Sequence, residues 1–168
     1  MLCCNKAGVN DIERIIGLDN IIFERIWDSS FLIGRITAQS AHIRATVDHL
    51  YFEESDVLSL ANLLLSLPFP LKDHTAYRWV STARSEPNSD MGTEISFTIT
   101  QKDRLGHMLV EVFMVIQDGD IHHSRINEDH CCRFFVQTEI GSLNDFGKRL
   151  LSFSESNTRI SLVENEHA

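Results

Sequence analysis

One internal echo limits this chain more than any other feature. The stretch 131–153, CCRFFVQTEIGSLNDFGKRLLSF, reads as a strand running through a tight turn into an amphipathic helix. Phe134 and Val136 alternate with polar neighbours, as a half-buried strand requires. Gly141 interrupts the extended run and Ser142 is placed to cap a helix over 142–153. Leu143, Phe146, Leu150 and Phe153 then recur at spacings of three and four, one apolar stripe, with Lys148 and Arg149 where the helix dipole favours cations. The same grammar stands 86 residues earlier in HLYFEESDVLSLANLLLSL, residues 49–67. There Leu50 stands for Val136, Val57 for Leu143, Leu60 for Phe146, and Leu64–Leu67 for Leu150–Phe153. Glu54-Ser55-Asp56 would cap this first helix, over 56–67, and Pro68 and Pro70 would end it. A single domain built from two pseudo-repeat halves, about 20–67 and 75–153, satisfies the pattern.

The remaining segments fill in strands. Asn10-Asp11-Ile12-Glu13 has the form of a capping box, and a short helix ends at Gly17. From Asn20 the period drops to two: 21–27 and 31–36 pair around Asp28-Ser29-Ser30, and 41–52 is a third strand after a turn at Gln39-Ser40. Thr75–Thr82 opens the second half with Tyr77 and Trp79 on one face, and 85–92 is a polar loop. Thr93–Gln101 turns inward Ile95, Phe97 and Ile99, and a hairpin turn at 102–106 returns the chain along 107–117. That return strand is apolar on both faces for part of its length, which suits the middle of a sheet. A long polar connection, 117–130, leads to the repeated unit, and 155–168 is read as a flexible tail holding one strand-like stretch, 159–163. The order is (α)βββα–ββββα, about seven strands and two main helices, hence α+β with antiparallel sheet.

At 168 residues the chain buries a core without help from disulfide or metal. Asn62 and Ser66 break its longest apolar run well short of the ~20 residues of a membrane span, and no signal peptide is read at 1–16, so a cytoplasmic protein without a membrane partner is expected. Cys3-Cys4 and Cys131-Cys132 are adjacent pairs. Neighbours on a strand point to opposite faces, so reduced thiols are expected, one of 131–132 in the core. Fifteen Lys and Arg stand against 24 Asp and Glu, a net charge of −9, which argues against nucleic acid and suits a basic partner. The acids cluster. Asp48, Glu53, Glu54 and Asp56 lie in a stretch, 48–71, without Lys or Arg, and Asp118, Asp120, Glu128 and Asp129 are offset only by Arg125.

Catalytic signals are weak. No GxGxxG, GxxxxGK[ST], HExxH or GxSxG occurs. His122, His123, Glu128, Asp129, His130, Cys131 and Cys132 are metal-ligand types, but their spacing matches no zinc ribbon or finger, so neither a metal nor another cofactor is expected. A nucleophile formed by Cys132 with His107 or His130 would need the fold to join them. Tyr77, Trp79 and Phe97 are either a pocket lining or core.

The succession of LYFEESDVLSLANLLLSL, an alternating hairpin, and a strand running into SLNDFGKRLLSF resembles a family of bacterial immunity proteins, those paired with polymorphic or contact-dependent toxins. The likeness covers about residues 20–153 and leaves 1–18 and the acidic tail unexplained. It implies a non-catalytic inhibitor whose partner is a cognate toxin, a basic nuclease domain, covered at its cleft by an acidic surface. The likeliest contacts on that reading are Asp118, Asp120, Glu128 and Asp129, on a long connection, followed by Glu53, Glu54 and Asp56 at a strand–helix junction. A small-ligand-binding α+β domain and a metal-dependent enzyme using the 122–132 cluster are the alternatives.

Overall fold

The computed structural model describes residues 19–28, 32–40, 43–71, 75–81, 93–116, 130–153 and 159–163. Among them are eight strands and two helices: β1 Asn20–Asp28, β2 Leu32–Gln39, β3 Arg44–Phe52, α1 Glu54–Leu65, β4 Tyr77–Ser81, β5 Thr93–Gln101, β6 His107–Ile116, β7 His130–Glu139, α2 Ile140–Leu151 and β8 Arg159–Ser161. The protein is α+β and mostly sheet. The helix expected at 10–17, the turn at 29–30, the loop at 85–92 and the connection 117–129 lie outside the described residues.

Both sheets have four antiparallel strands, in the orders β3-β2-β1-β8 and β4-β5-β6-β7. The chain therefore runs twice through three paired strands, a helix and a fourth strand. Each fourth strand leaves its own half and pairs with the first strand of the other: β4 joins β5, and β8 joins β1. This exchange ties the halves together as no sequence pattern indicated.

The 86-residue echo is reproduced residue for residue in the helices. Both have 12 residues, and each boundary of α2 is the corresponding α1 boundary shifted by 86. Val57, Leu60, Ala61 and Leu64 are buried in α1, and their counterparts Leu143, Phe146, Gly147 and Leu150 are buried in α2. The C-terminal ends match as well: Ser66 Oγ donates to Leu63 O at 3.0 Å, and Ser152 Oγ to Arg149 O at 2.9 Å. Leu50 and Val136, the paired strand positions, are both fully buried.

Both helices begin two residues before the positions expected from sequence. The N-caps are Glu53 and Glu139, in extended conformation and without a side-chain capping bond, so neither Glu54-Ser55-Asp56 nor Ser142 acts as the cap. Gly141 does not break the chain but lies in the first turn of α2. The strands feed straight into the helices, and a glycine is tolerated there because first-turn N–H groups have no helical partner in any case.

One core draws on both sheets and both helices. At its centre the Phe23 ring of β1 meets Phe97 of β5 edge-on at 6.3 Å, Phe146 of α2 at 5.9 Å and Phe153 at 6.2 Å. Trp79 and Phe97, cross-strand partners on β4 and β5, are 5.2 Å apart and buried. Tyr77, partly buried, packs against the same cluster, so these aromatics are core rather than a pocket lining. Leu60, Leu64, Phe146 and Leu150 are buried as expected, but the helices also pack on each other. A Cβ added to Gly147 would stand 3.0 Å from Leu64 Cβ and 3.2 Å from Ala61 O, so the two backbones approach closely at the paired positions 61 and 147.

The stretch expected as a tail contributes β8. Ile160 and Leu162 are buried, and the Asn20 side chain clamps the strand: its Nδ2 donates to Ser161 Oγ at 2.9 Å, and its Oδ1 accepts Val163 N–H at 2.9 Å.

Candidate functional site

The junction between β3 and α1 carries three of the acids singled out by sequence. Glu53 and Glu54 are exposed, and Asp56 is half-buried. Their surroundings separate them. Asp56 accepts a bond from Ser81 Oγ on β4 at 3.5 Å, while its carbonyl accepts the Trp79 indole N–H at 3.2 Å and Ser59 Oγ at 2.7 Å. The indole also donates to Ser59 Oγ at 2.9 Å. Asp56 thus helps lock the exchanged strand β4 onto the first turn of α1. Glu53 and Glu54 point elsewhere: the only side-chain bond among the described residues is Ser55 Oγ to Glu53 Oε2 at 3.3 Å, and no Lys or Arg among them pairs with either glutamate. Neither is consumed by capping, although both lie where the dipole favours negative charge.

The second junction is not acidic in the same way. Glu139 corresponds to Glu53, but Ile140 and Ser142 replace Glu54 and Asp56, and the last turn of α2 carries Lys148 and Arg149 where α1 has no base. Asp145 is bonded by Lys148 Nζ at 2.7 Å, and this holds its carboxyl below the ordinary range.

Asp48, grouped by sequence with the same acids, belongs to a different feature. On the outer face of the first sheet Arg35 Nη2 meets Asp48 Oδ2 at 2.6 Å and its Nη1 meets Glu24 at 3.6 Å, and Arg159 reaches Glu24 at 3.6 Å. One ladder of alternating charge crosses all four strands, β3-β2-β1-β8. The hydrogen bond to Asp48 raises the Arg35 pKa, and the carboxylate is neutralised in place. Sequence alternation marks these residues as outward-facing but not as partners, because strand order is needed to bring Arg159 beside Glu24.

The second sheet presents a different outer face. Phe135 is 48% exposed and Val80 41%, and Arg133 stacks over the Phe113 ring at 5.0 Å while pairing with Glu111 at 3.2 Å. Cys131 is exposed and Cys132 turns toward the core, as adjacent strand residues must. The ladder sets Cys132 against Met114 but His107 against Glu139, at opposite ends of the strand pair, so Cys132 and His107 form no nucleophilic pair. The His107 ring instead faces the Asp103 carboxylate in the β5–β6 turn.

Asp118, Asp120, Glu128 and Asp129 lie outside the described residues, as do His122 and His123. Among the described residues no three His, Cys, Asp or Glu side chains are grouped to hold a metal ion, and no helix is long and apolar enough to cross a membrane. Comparison with protein-family models, curated proteins and solved structures finds no match.

Proposed function

We propose that this chain is a non-catalytic immunity protein that binds a basic bacterial toxin domain, a nuclease, and covers its cleft with acidic side chains. The observation that carries the reading is the state of Glu53 and Glu54: exposed, uncapped, without a cationic partner among the described residues, and set in a chain of net charge −9. Acids spent on a ladder, like Asp48, or on an internal strand, like Asp56, have little left for a partner. Glu53 and Glu54 keep theirs. The pattern resemblance to immunity proteins points to the same kind of partner. An acidic surface facing a basic cleft accelerates encounter through long-range attraction, and the effect weakens as salt screens it. Asp118, Asp120, Glu128 and Asp129, ranked first from the sequence, are the other set of contacts on this reading.

The experiment is association kinetics with basic bacterial nuclease toxin domains, at low and high salt, together with growth rescue of cells expressing such a toxin. Glu53→Lys with Glu54→Lys is expected to slow association about tenfold at low salt and to flatten its salt dependence. Asp56→Asn is expected to lower thermal stability more than association rate. Rescue without direct binding, or binding indifferent to salt and to charge reversal in both acidic sets, refutes the reading.

A further inference from the structure

The turn that carries Glu53 and Glu54 is held from outside its own helix. Glu53 stands at the N-cap of α1 without a side-chain capping bond, and its carbonyl accepts the Asp56 N–H at 2.9 Å. A start of this kind lacks one of the local bonds that fix an N-terminal turn. Trp79, on a strand of the second sheet, supplies a tie from elsewhere. Its indole N–H is shared between Asp56 O at 3.2 Å and Ser59 Oγ at 2.9 Å, and Ser59 Oγ donates to Asp56 O at 2.7 Å. Trp79 is 5% exposed and its ring lies 5.2 Å from that of Phe97, so the donor is fixed by the core and the helix start must come to it. Ser81, on the same face of β4, reaches the Asp56 carboxylate at 3.5 Å.

The internal echo supplies a comparison. Position 145 of α2 corresponds to Ser59, and there Asp145 accepts Lys148 Nζ of its own helix at 2.7 Å. β8, the strand exchanged in the other direction, is tied to α2 at the far end, where Arg149 in the last turn donates to Ser161 O at 2.8 Å. The 139–142 junction is met by backbone, Ile140 N–H donating to Gly106 O at 3.0 Å. A clamp demanded by the duplicated fold alone would recur at both junctions. Among the described residues the side-chain clamp belongs to the half that presents Glu53 and Glu54.

We propose that Trp79 and Ser59 are positioning residues for the partner surface: they hold the first turn of α1 in the geometry in which Glu53 and Glu54 meet the toxin cleft. The inference rests on the toxin reading. Charge and geometry then act on different rates. Attraction between an acidic surface and a basic cleft follows the charges and sets the rate of encounter. Ordering a loose turn at an interface costs affinity, and differences among variants of one interface fall mostly on dissociation. Trp79 and Ser59 carry no charge, so their loss changes the second rate and leaves the first.

The test compares wild type, Trp79→Phe and Ser59→Ala in the full chain. Phenylalanine keeps a ring against Phe97 and loses the indole donor. Alanine removes the bridging hydroxyl at an exposed position and decides the matter if the tryptophan variant fails to fold. In the free protein the amides of 56–58 should exchange about three- to tenfold faster in both variants, the effect of roughly one lost hydrogen bond. Val110 and Val112 on β6 should keep their protection. With a nuclease toxin domain that binds the wild type, dissociation should quicken by a similar factor while association and its salt dependence stay unchanged, the reverse of the effect of Glu53→Lys with Glu54→Lys. A bond that serves stability alone would lower Tm and leave dissociation untouched. Unchanged exchange at 56–58, exchange raised equally at Val110 and Val112, or unchanged dissociation overturns the positioning role. Binding by no such domain counts against the toxin reading instead, and exchange at 56–58 still decides whether the clamp holds the turn.

Discussion

Gly147→Ala is the smallest change that tests the core of this architecture. A methyl group there meets Leu64 Cβ at 3.0 Å, Ala61 O at 3.2 Å and Leu65 Cγ at 3.3 Å. Leu65 is 38% exposed and can swing its side chain outward. The other two cannot move so cheaply, because a Cβ and a carbonyl oxygen shift only with the backbone of α1. That helix is anchored by buried Val57 and Leu60 and by the Trp79 indole bond to its first turn. Overpacking of this kind costs about 1–3 kcal/mol, while replacing a helical glycine by alanine returns about 1 kcal/mol of propensity. The net expectation is a loss of up to about 2 kcal/mol. Gly141→Ala supplies the control within the same helix, since nothing lies within 4 Å of its added methyl group. There the propensity gain stands alone, a few tenths to about 1 kcal/mol. Both variants are measured by urea unfolding and thermal melting. The two should move in opposite directions, separated by several degrees in Tm at about 2–4 °C per kcal/mol for a chain of this size. If Gly147→Ala is as stable as Gly141→Ala, the helices do not cross closely at 61 and 147, and the two halves lose that contact between their paired helices.

Leu64→Ala and Leu150→Ala occupy paired positions, each almost fully buried, and should each cost about 2–5 kcal/mol by chemical denaturation. A midpoint left unmoved by either would remove that side chain from the core. Asp103→Asn probes the β5–β6 turn, where the carboxylate accepts the Leu105 N–H at 2.8 Å and faces the His107 ring, and where the His107 bond is the first cause of its lowered pKa. A lowered carboxyl pKa stabilises the fold above the ordinary value of 3.8 and loses that contribution as pH falls through the folded-state value. The Tm gap between wild type and Asp103→Asn should therefore be widest near neutrality and close on acidification below about pH 4. A gap independent of pH would show that the turn needs the side chain's shape and not its charge.

Local periodicity was enough to read the α+β class, seven of the strands and the helix stripes, because strand and helix bury their apolar residues at different spacings along one chain. The 86-residue echo was legible for the same reason: Val57, Leu60 and Leu64 repeat as Leu143, Phe146 and Leu150, and each stripe faces the same core. Helix starts were misplaced by two residues because capping side chains are common signals but not obligatory ones, and here Glu53 and Glu139 enter the helices without capping them. The candidate site was legible only in part. Sequence grouped Asp48, Glu53, Glu54 and Asp56 by proximity along the chain, and the fold then gave them three separate fates: a cross-strand ladder, an open surface and an internal latch. What tertiary structure alone decided is which strands meet. Pairing is made by backbone groups that every residue carries, so nothing in Trp79 or Ile160 as residues announces that β4 and β8 cross to the opposite halves. The pairing of Phe23 with Phe97, of Ala61 with Gly147, and the place of β7 as the last strand of its sheet among the described residues all follow from that exchange of strands and the topology built around it.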